Sequence, residues 1–447
     1  MNLCKALTRV SACREDEWNL QDLHKNILKD QYRPVRDALL GVVRDRVTVH
    51  MAQLQDAISE QNKYAQIVHP KRRIRLLAWG ELINYMGLNG LFTKHIAGKI
   101  KLYENAKPGK YPRLIGDYTT PGSLLGGYLC EIVKKSFSEV RYNKGDMDFN
   151  FLSSVEASAL DEVGRRLFDG TEDYALFFSD DSVMKLNGKI YEMDISSCDM
   201  SNRQPIFKYL SWLCSGTEFG RDIMQRNIAQ CTLPLRLKDP SRLGKTISLN
   251  PAYPIEFSGT TLTTALNNIA SFLIMLQCKL MGANSRDDVI AAARSIGYIV
   301  TVEERTTMET VQFLKHSFYR DDKGDVRSWL NLGPILRSFG SCVGDKAKGI
   351  EYDWNATVLS GYVHSGQTSL QRKLNDFYPL RSRIRLPQDE IKHFSSEHRE
   401  DTPDRVVLAR YGITGAEWAQ CIDLVSRRGH VNCVALRRIY QVDYGLA

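Results

Sequence analysis

The sequence predicts an α+β chain in which a small buried sheet is flanked by amphipathic helices, and three observations support this. Tyr174 to Asp199 (YALFFSDDSVMKLNGKIYEMDISSCD) reads as three strands joined by two tight turns. Val35 to Gln61 carries Leu39, Leu40, Val43, Val47 and Met51 at helical spacing. Ser201 to Leu233 repeats that pattern with Ile206, Leu210, Leu213 and Ile223 as apolar anchors.

The strand-rich stretch sets the register of everything near it. Asn187-Gly188 is a strong two-residue hairpin signal, because both turn positions require positive φ. With those two residues at the tip, Leu186 faces Lys189 and, counting outward, Asp181 faces Asp194. The second turn, Ser179-Asp180-Asp181-Ser182, falls at the same end of the sheet. Asp180, Asp181 and Asp194 are therefore expected at one sheet edge. Three carboxylates repel one another there unless a cation sits among them, and a pair of divalent cations fits such a set. On the Asp-Asp pair alone, a solvated acidic turn explains the residues equally well. The apolar flanks YALFF and IYEMDI argue instead for a buried sheet.

Composition narrows the class. The chain has 447 residues, with 60 Lys+Arg against 52 Asp+Glu, a formal net charge of +8. That length can bury a large core in several lobes or one wrapped structure. The basic excess suits a phosphate-rich partner and is also common among soluble enzymes. The ten Cys are scattered, with no CxxC or Cys/His cluster, which speaks against a structural zinc site. They are expected as reduced core thiols of a cytosolic protein. The first residues lack the apolar run of a signal peptide. The longest apolar stretch, around Ile269 to Leu276, falls short of the ~20 residues that span a bilayer.

Along the chain, a basic cluster (His69, Lys71, Arg72, Arg73, Arg75) reads as a solvated face or a nucleic-acid contact. Lys99 to Asp117 (KIKLYENAKPGKYPRLIGD) alternates apolar and basic residues about a Pro108-Gly109 turn, giving a basic β-ribbon. Its Lys99, Lys101, Lys107, Lys110 and Arg113 can hold a triphosphate or nucleic-acid backbone. Lysines also protect exposed strand edges. After Pro254, Ser258-Gly259 opens an apolar helix ending near Leu280, and Thr263 and Asn267 share one face of it. Ser285 is the expected N-cap of a helix to Ser295, with Gly297 as its stop. A strand is expected over Tyr298 to Val302 and a strand pair within Met308 to Tyr319. From Trp329 onward helices alternate with polar joints, Ser395 to Asp404 reads as a surface linker and Ala416 to Arg428 as a helix. RSRIRLP (Arg381 to Pro387) reads as an RNA contact or a surface charge run.

Together these pieces resemble the motif series of viral RNA-dependent RNA polymerases, spread over Lys99 to Tyr319. KPGKYPRLIGD resembles motif F, and Asp194-x4-Asp199 resembles motif A. Ser258-Gly259-xxx-Thr263-xxx-Asn267 resembles motif B. Ser295-Ile-Gly297-Tyr-Ile-Val-Thr-Val resembles motif D, and Phe313-Leu314-Lys315 resembles motif E, the primer grip. The usual Gly-Asp-Asp of motif C does not follow motif B. Ser179-Asp180-Asp181 precedes motif A instead, with Ser in place of Gly. The order C-A-B is similar to the permuted palm of birnaviruses and permutotetraviruses. The permutation is physically harmless: the strand of A lies beside the second strand of C, and Asn187-Gly188 joins the two directly. A rival motif C, Asp287-Asp288, lacks a preceding strand and is followed by helical spacing (Val289, Ile290, Ala293, Ile296). It is expected in the first turn of a helix, where acids meet the helix dipole favourably.

The resemblance implies an α+β right-hand polymerase with fingers, palm and thumb. Residues 1–170 and 201–250 would be fingers, 171–200 and 251–319 palm, and 320–447 thumb. It implies two Mg²⁺ or Mn²⁺ ions on Asp180 and Asp194, with Asp181 auxiliary. It also implies ribose checking by Asp199, Ser258, Gly259, Thr263 and Asn267, and triphosphate contacts from Arg113, Lys107 and Lys110. Lys315, Lys99 and Lys101 would contact primer or other RNA. The place of the motif D general acid falls on Arg305, a poor proton donor at neutral pH. The implied partners are RNA template and primer, NTPs and other viral replication proteins, in the host cytoplasm. A reverse transcriptase is disfavoured by Asp199 and the Ser258/Asn267 pair, and an inactive RNA-binding scaffold by the intact Asp180, Asp181 and Asp194.

Overall fold

The computed structural model describes residues 15–59, 99–103, 113–117, 120–144, 147–152, 157–232, 235–238, 246–249, 253–256, 259–338, 367–377, 400–429 and 432–445. The basic cluster at 69–75, the ribbon tip with Lys107 and Lys110, Ser258 and the 381–387 segment lie outside these residues.

In chain order the elements are α1 (Glu15–His24), α2 (Arg33–Ser59), β1 (Lys99–Tyr103), β2 (Arg113–Asp117), α3 (Thr120–Ser138), β3 (Tyr142–Lys144), β4 (Met147–Phe151) and α4 (Ala157–Asp169). Then come β5 (Asp173–Phe178), β6 (Asp181–Leu186), β7 (Lys189–Ile195), the short α5 (Cys198–Ser201), α6 (Gln204–Leu213), α7 (Glu218–Cys231), β8 (Leu235–Lys238) and β9 (Thr246–Leu249). The remainder is α8 (Thr263–Leu280), α9 (Arg286–Ser295), β10 (Val300–Arg305), β11 (His316–Arg320), β12 (Val326–Leu330), α10 (Leu332–Ser338), α11 (Ser369–Phe377), α12 (Asp404–Tyr411), α13 (Gly415–Arg428) and α14 (Val434–Tyr444). The chain divides into two units: Met1–Ser153 with Glu172–Glu304, and Ser154–Thr171 with Arg305–Ala447. Helix α4, grouped by sequence with the first 170 residues, thus belongs to the C-terminal unit, as does the stretch from Arg305 to Tyr319.

The first unit is built on a six-stranded sheet of order β10-β7-β6-β5-β4-β3. The pairs β7/β6, β6/β5 and β4/β3 are antiparallel, and β5/β4 is parallel. Alternation decides what each face does. Ala175, Phe177, Met184, Leu186, Tyr191 and Met193 join one apolar core with helix α8, whose residues from Ala265 to Cys278 are buried. Phe272 of α8 meets Phe149 and Phe177 at ring-centroid distances of 5.1 and 6.0 Å, and Phe137 of α3 closes on Phe151 and Phe177. Each such aromatic pair adds roughly 0.5–1.5 kcal/mol beyond its buried area. Leu39, Leu40, Val43, Val47 and Met51 of α2 are all buried in this core, as their spacing required.

The predicted basic ribbon forms. β1 and β2 pair antiparallel from Lys99↔Asp117 to Tyr103↔Arg113. It belongs to a four-stranded sheet, β2-β1-β8-β9. The hairpin β8/β9 went unread in the sequence, although Leu235/Leu237 and Ile247/Leu249 alternate with polar residues. The helical stretch expected over Ser201 to Leu233 resolves into α6 and α7, broken at Cys214–Gly216.

Helix α1 packs on the turn after α9. His24 is buried; its Nδ1 bonds the Ile296 carbonyl at 2.9 Å and its ring meets Tyr298 edge-on. Burial, opposed by that bond and aided by Arg203, lowers its pKa from 6.5 to about 4. The unfolded chain therefore binds the extra proton first, so this contribution is full above pH 6.5 and is lost as pH falls toward 4. By pH 4.5 about 2–3 kcal/mol should be gone. Urea unfolding between pH 7 and 4.5 is expected to show a shallower loss in a His24→Gln variant than in the parent; equal slopes would contradict this.

In the second unit β11 and β12 pair antiparallel, from His316↔Leu330 to Arg320↔Val326. The strand pair expected within Met308 to Tyr319 is thus shifted: its partner strand is Val326–Leu330, which contains Trp329. The shift arises at Leu314 and Lys315, both at positive φ, which close a tight turn with Phe313 and His316 bonded to each other. The core here joins Trp329, Leu332, Leu374, Val407, Tyr411, Trp418, Val425 and Ile439.

Candidate active site

The site grows from two turns. Asn187 and Gly188 have φ of 50° and 78°, the signature of a two-residue turn with both positions left-handed. Leu186 pairs with Lys189, and from there the register runs to Asp181↔Asp194. At that end the β5/β6 turn consists of Ser179 and Asp180, between paired Phe178 and Asp181. Asp180, Asp181 and Asp194 thus occupy adjoining positions at one end of β6 and β7. Asp181 and Asp194 are cross-strand partners, and so share one face of the sheet.

Ser179 takes φ of 57°, a conformation glycine adopts more readily. Helix α8 holds it there. Asn268 Oδ1 accepts the Ser179 N–H at 2.6 Å, and the Ser271 hydroxyl donates to the Ser179 carbonyl at 2.6 Å. Asn267 Nδ2 donates to the Ser179 hydroxyl at 3.3 Å. Three side chains on one helix face therefore grip the residue that aims Asp180.

Asp199 follows at α5, in the first helical turn after Ser197. Behind it lies a buried polar cluster. Asn202 Nδ2 donates to Glu256 Oε2 and to Asn267 Oδ1, both at 2.8 Å. The Tyr298 hydroxyl donates to Asn202 Oδ1 at 2.8 Å, and the Cys198 thiol to Asn267 Oδ1 at 3.1 Å. Burial pushes the Cys198 thiol well above its ordinary value, and the acidic side chains around it act in the same direction.

Among the predicted residues, Thr263 and Asn267 lie on α8, and the Thr263 and Thr260 hydroxyls are 3.1 Å apart. Gly259 has φ of 98°, and a Cβ there would meet Ile115 Cγ2 at 2.8 Å and the Gly116 carbonyl at 2.9 Å. Only glycine allows that approach, which seats strand β2 against the loop leading into α8. Lys99, Lys101 and Arg113 lie on the ribbon strands. Arg305 ends β10 and Lys315 sits in the Phe313–His316 turn, both in the second unit. The rival pair, Asp287 and Asp288, opens helix α9 as expected, with the Ser285 hydroxyl accepting the Asp288 N–H.

Four residues of this site had no motif to announce them: Asn202, Glu256, Asn268 and Ser271. Glu256 carried the one usable signal, an acid inside the apolar run Pro254-Ile-Glu-Phe.

Three carboxylates supply hard oxygen donors, the type that suits Mg²⁺ or Mn²⁺. Among the described residues no three His, Cys, Asp or Glu side chains already form a metal cluster. The fit therefore rests on backbone register and donor type. Among the described residues, no helix is long and apolar enough to cross a membrane. The seven cysteines described (130, 198, 214, 231, 278, 421 and 433) are all buried and free of disulfides.

No protein-family model matches the sequence. No curated protein matches it either. Among solved structures, the chain is similar to the RNA polymerase VP1 of infectious pancreatic necrosis virus, at 12% identity and a TM-score of 0.46, over 79% of this chain and 51% of that one. It is similar also to a birnavirus VP1-VP3 complex, at 13% identity and a TM-score of 0.46, over 61% of this chain and 42% of that one. The chain spans about half the length of these two structural neighbours.

Proposed function

We propose that the chain is an RNA-dependent RNA polymerase that adds ribonucleotides to an RNA 3′ end under the direction of a template. The observation that carries this reading is the register Asp181↔Asp194 with Asp180 in the adjoining turn, held by the helix that bears Thr263 and Asn267. A permuted palm needs that juxtaposition. The turn at Asn187-Gly188 supplies it by linking the two acidic strands directly.

Asp180 and Asp194, with Asp181 beside them, would hold two Mg²⁺ or Mn²⁺ ions. Such ions, when bound, lower the pKa of the attacking 3′-hydroxyl and neutralise charge on the transferred phosphoryl group and pyrophosphate. The chain's own residues position the reactants. Asp199, Thr263 and Asn267 read the sugar, since a 2′-hydroxyl both donates and accepts. Ser258 and Gly259 belong to the same proposed sugar-reading set, Gly259 by letting strand β2 pack close against its backbone. The basic ribbon, with Lys99, Lys101, Lys107, Lys110 and Arg113, holds triphosphate and RNA backbone through charge. Lys315 serves the primer backbone. Arg305 takes the place of the motif D general acid, a role to which a guanidinium is poorly suited. Fingers, palm and thumb, other viral replication proteins as partners and a host-cytoplasmic setting belong to the same proposal.

The sugar-reading role makes a direct test. An Asn267→Ala variant is expected to lower the preference for NTP over dNTP by about tenfold or more, because the site loses a buried hydrogen-bonding group. Single-nucleotide incorporation on a primed RNA template measures this. Unchanged discrimination would remove Asn267 from the role. A parent chain that prefers dNTPs would favour a reverse transcriptase.

A further inference from the structure

We propose that Glu256 is a positioning residue for sugar selection, acting through Asn202 to hold the Asn267 amide in one orientation; this rests on the polymerase reading above. Asn202 Nδ2 has two protons, and both are spent: one on Glu256 Oε2, the other on Asn267 Oδ1. Asn202 Oδ1 receives the Tyr298 hydroxyl. The Asn202 amide is thereby fixed from both ends. Asn267 must in turn present Oδ1 to Asn202, where the Cys198 thiol donates to it as well. Its Nδ2 edge is left to face Ser179, the residue before Asp180. Which edge Asn267 offers a ribose hydroxyl is thus set two residues away.

Glu256 is an unusual choice for that task unless it stays uncharged. It is 0% exposed, and its Oε1 makes no hydrogen bond of normal geometry. Burial, together with the charges of Asp199 and Asp180, pushes its carboxyl well above the ordinary range, against the opposing hydrogen bonds of Asn202 and Thr263. A buried neutral acid keeps one oxygen as an acceptor for Asn202 and adds no negative charge beside a triphosphate site. Removing the acceptor frees the Asn202 amide to rotate. Asn267 then samples both amide orientations, with opposite donor and acceptor patterns.

The test is the ratio of kcat/KM for ATP to that for dATP in single-nucleotide incorporation. A ratio measured within one variant is independent of the folded fraction, so a merely structural loss does not move it. Glu256→Ala and Asn202→Ala are each expected to lower the ratio about tenfold, and the double variant no further. Glu256→Gln, a neutral isostere that keeps the acceptor, should restore the ratio to within about twofold of the parent. If Glu256→Ala does not fold, Asn202→Ala and Glu256→Gln carry the same comparison. A parent-like ratio in Glu256→Ala, or in Asn202→Ala, overturns the proposal. So does a Glu256→Gln ratio as low as that of Asn202→Ala. A parent chain that makes no RNA instead overturns the polymerase reading, and this proposal with it.

Discussion

Asp180→Asn and Asp194→Asn are each expected to lower RNA synthesis on a primed template by ~10³-fold, the scale of losing several kcal/mol of transition-state charge stabilisation. The double variant Asp287→Asn/Asp288→Asn is expected to keep about half of the activity or more. The contrast follows from where the two acidic pairs sit. Asp180 occupies the β5/β6 turn, next to the paired Asp181 and Asp194. Asp287 and Asp288 open helix α9, and Asp288 Oδ2 accepts the Asn284 N–H at 3.0 Å. Acids at a helix start stabilise it by roughly 0.3–1 kcal/mol, so their loss is a small stability change. Primer extension with all three variants, each checked for folding, decides between the two acidic pairs. Loss of activity in the double variant with retention in Asp180→Asn would end the permuted reading.

Asp443→Ala is expected to destabilise the C-terminal unit by about 3–5 kcal/mol, whatever the chain's activity. Arg410 and Asp443 have side chains only 3% and 1% exposed, and Arg410 Nη2 donates to Asp443 Oδ1 at 2.8 Å. The other Asp443 oxygen accepts from the Tyr411 hydroxyl and from the Gly333 N–H. A Cβ at position 333 would lie 2.6 Å from Asp443, so glycine is what lets that N–H approach. Arg410 Nη1 reaches the Ser317 hydroxyl at 2.8 Å. One carboxylate therefore ties α14 to α12 and α10, and through Arg410 to β11. Removing it leaves a buried guanidinium with no counter-charge in this network. The exposed pair Arg427–Asp423 offers the control, since Asp423→Ala should cost under ~1 kcal/mol. Urea unfolding followed by a probe in this unit, such as Trp329 or Trp418 fluorescence, measures both. A loss below 1 kcal/mol for Asp443→Ala would contradict the account.

What the sequence made legible was local. The Asn-Gly turn specified a register because a one-residue slip would send every apolar side chain of β6 and β7 to the wrong face. Helices α2, α8 and α9 were legible from apolar period and end signals. The acidic triad followed from counting along one hairpin. What stayed hidden depends on contacts between distant segments. Asn202 reaches Glu256 across 54 residues and Tyr298 across 96, and Ser179 meets Ser271 across 92. A lone Asn or Glu has no periodicity, so nothing in the local pattern separates such a residue from a surface one. The β8/β9 hairpin was missed for a related reason: four-residue strands barely exceed the length at which alternation can be told from chance. The shift of β11 to a partner at Val326–Leu330 came from Leu314 and Lys315 at positive φ, where sequence offers no glycine to signal the turn.

On the proposed function, this chain copies an RNA template through a carboxylate site assembled by the Asn187-Gly188 turn. Sequencing the product made from a defined heteropolymeric RNA template, with a primer, NTPs and Mg²⁺ or Mn²⁺, tests it most directly. The expected result is a ribonucleotide product complementary to the template, lost when a chelator removes the divalent ion. A folded, RNA-binding chain that extends no primer, or one that adds nucleotides without regard to template, would contradict it.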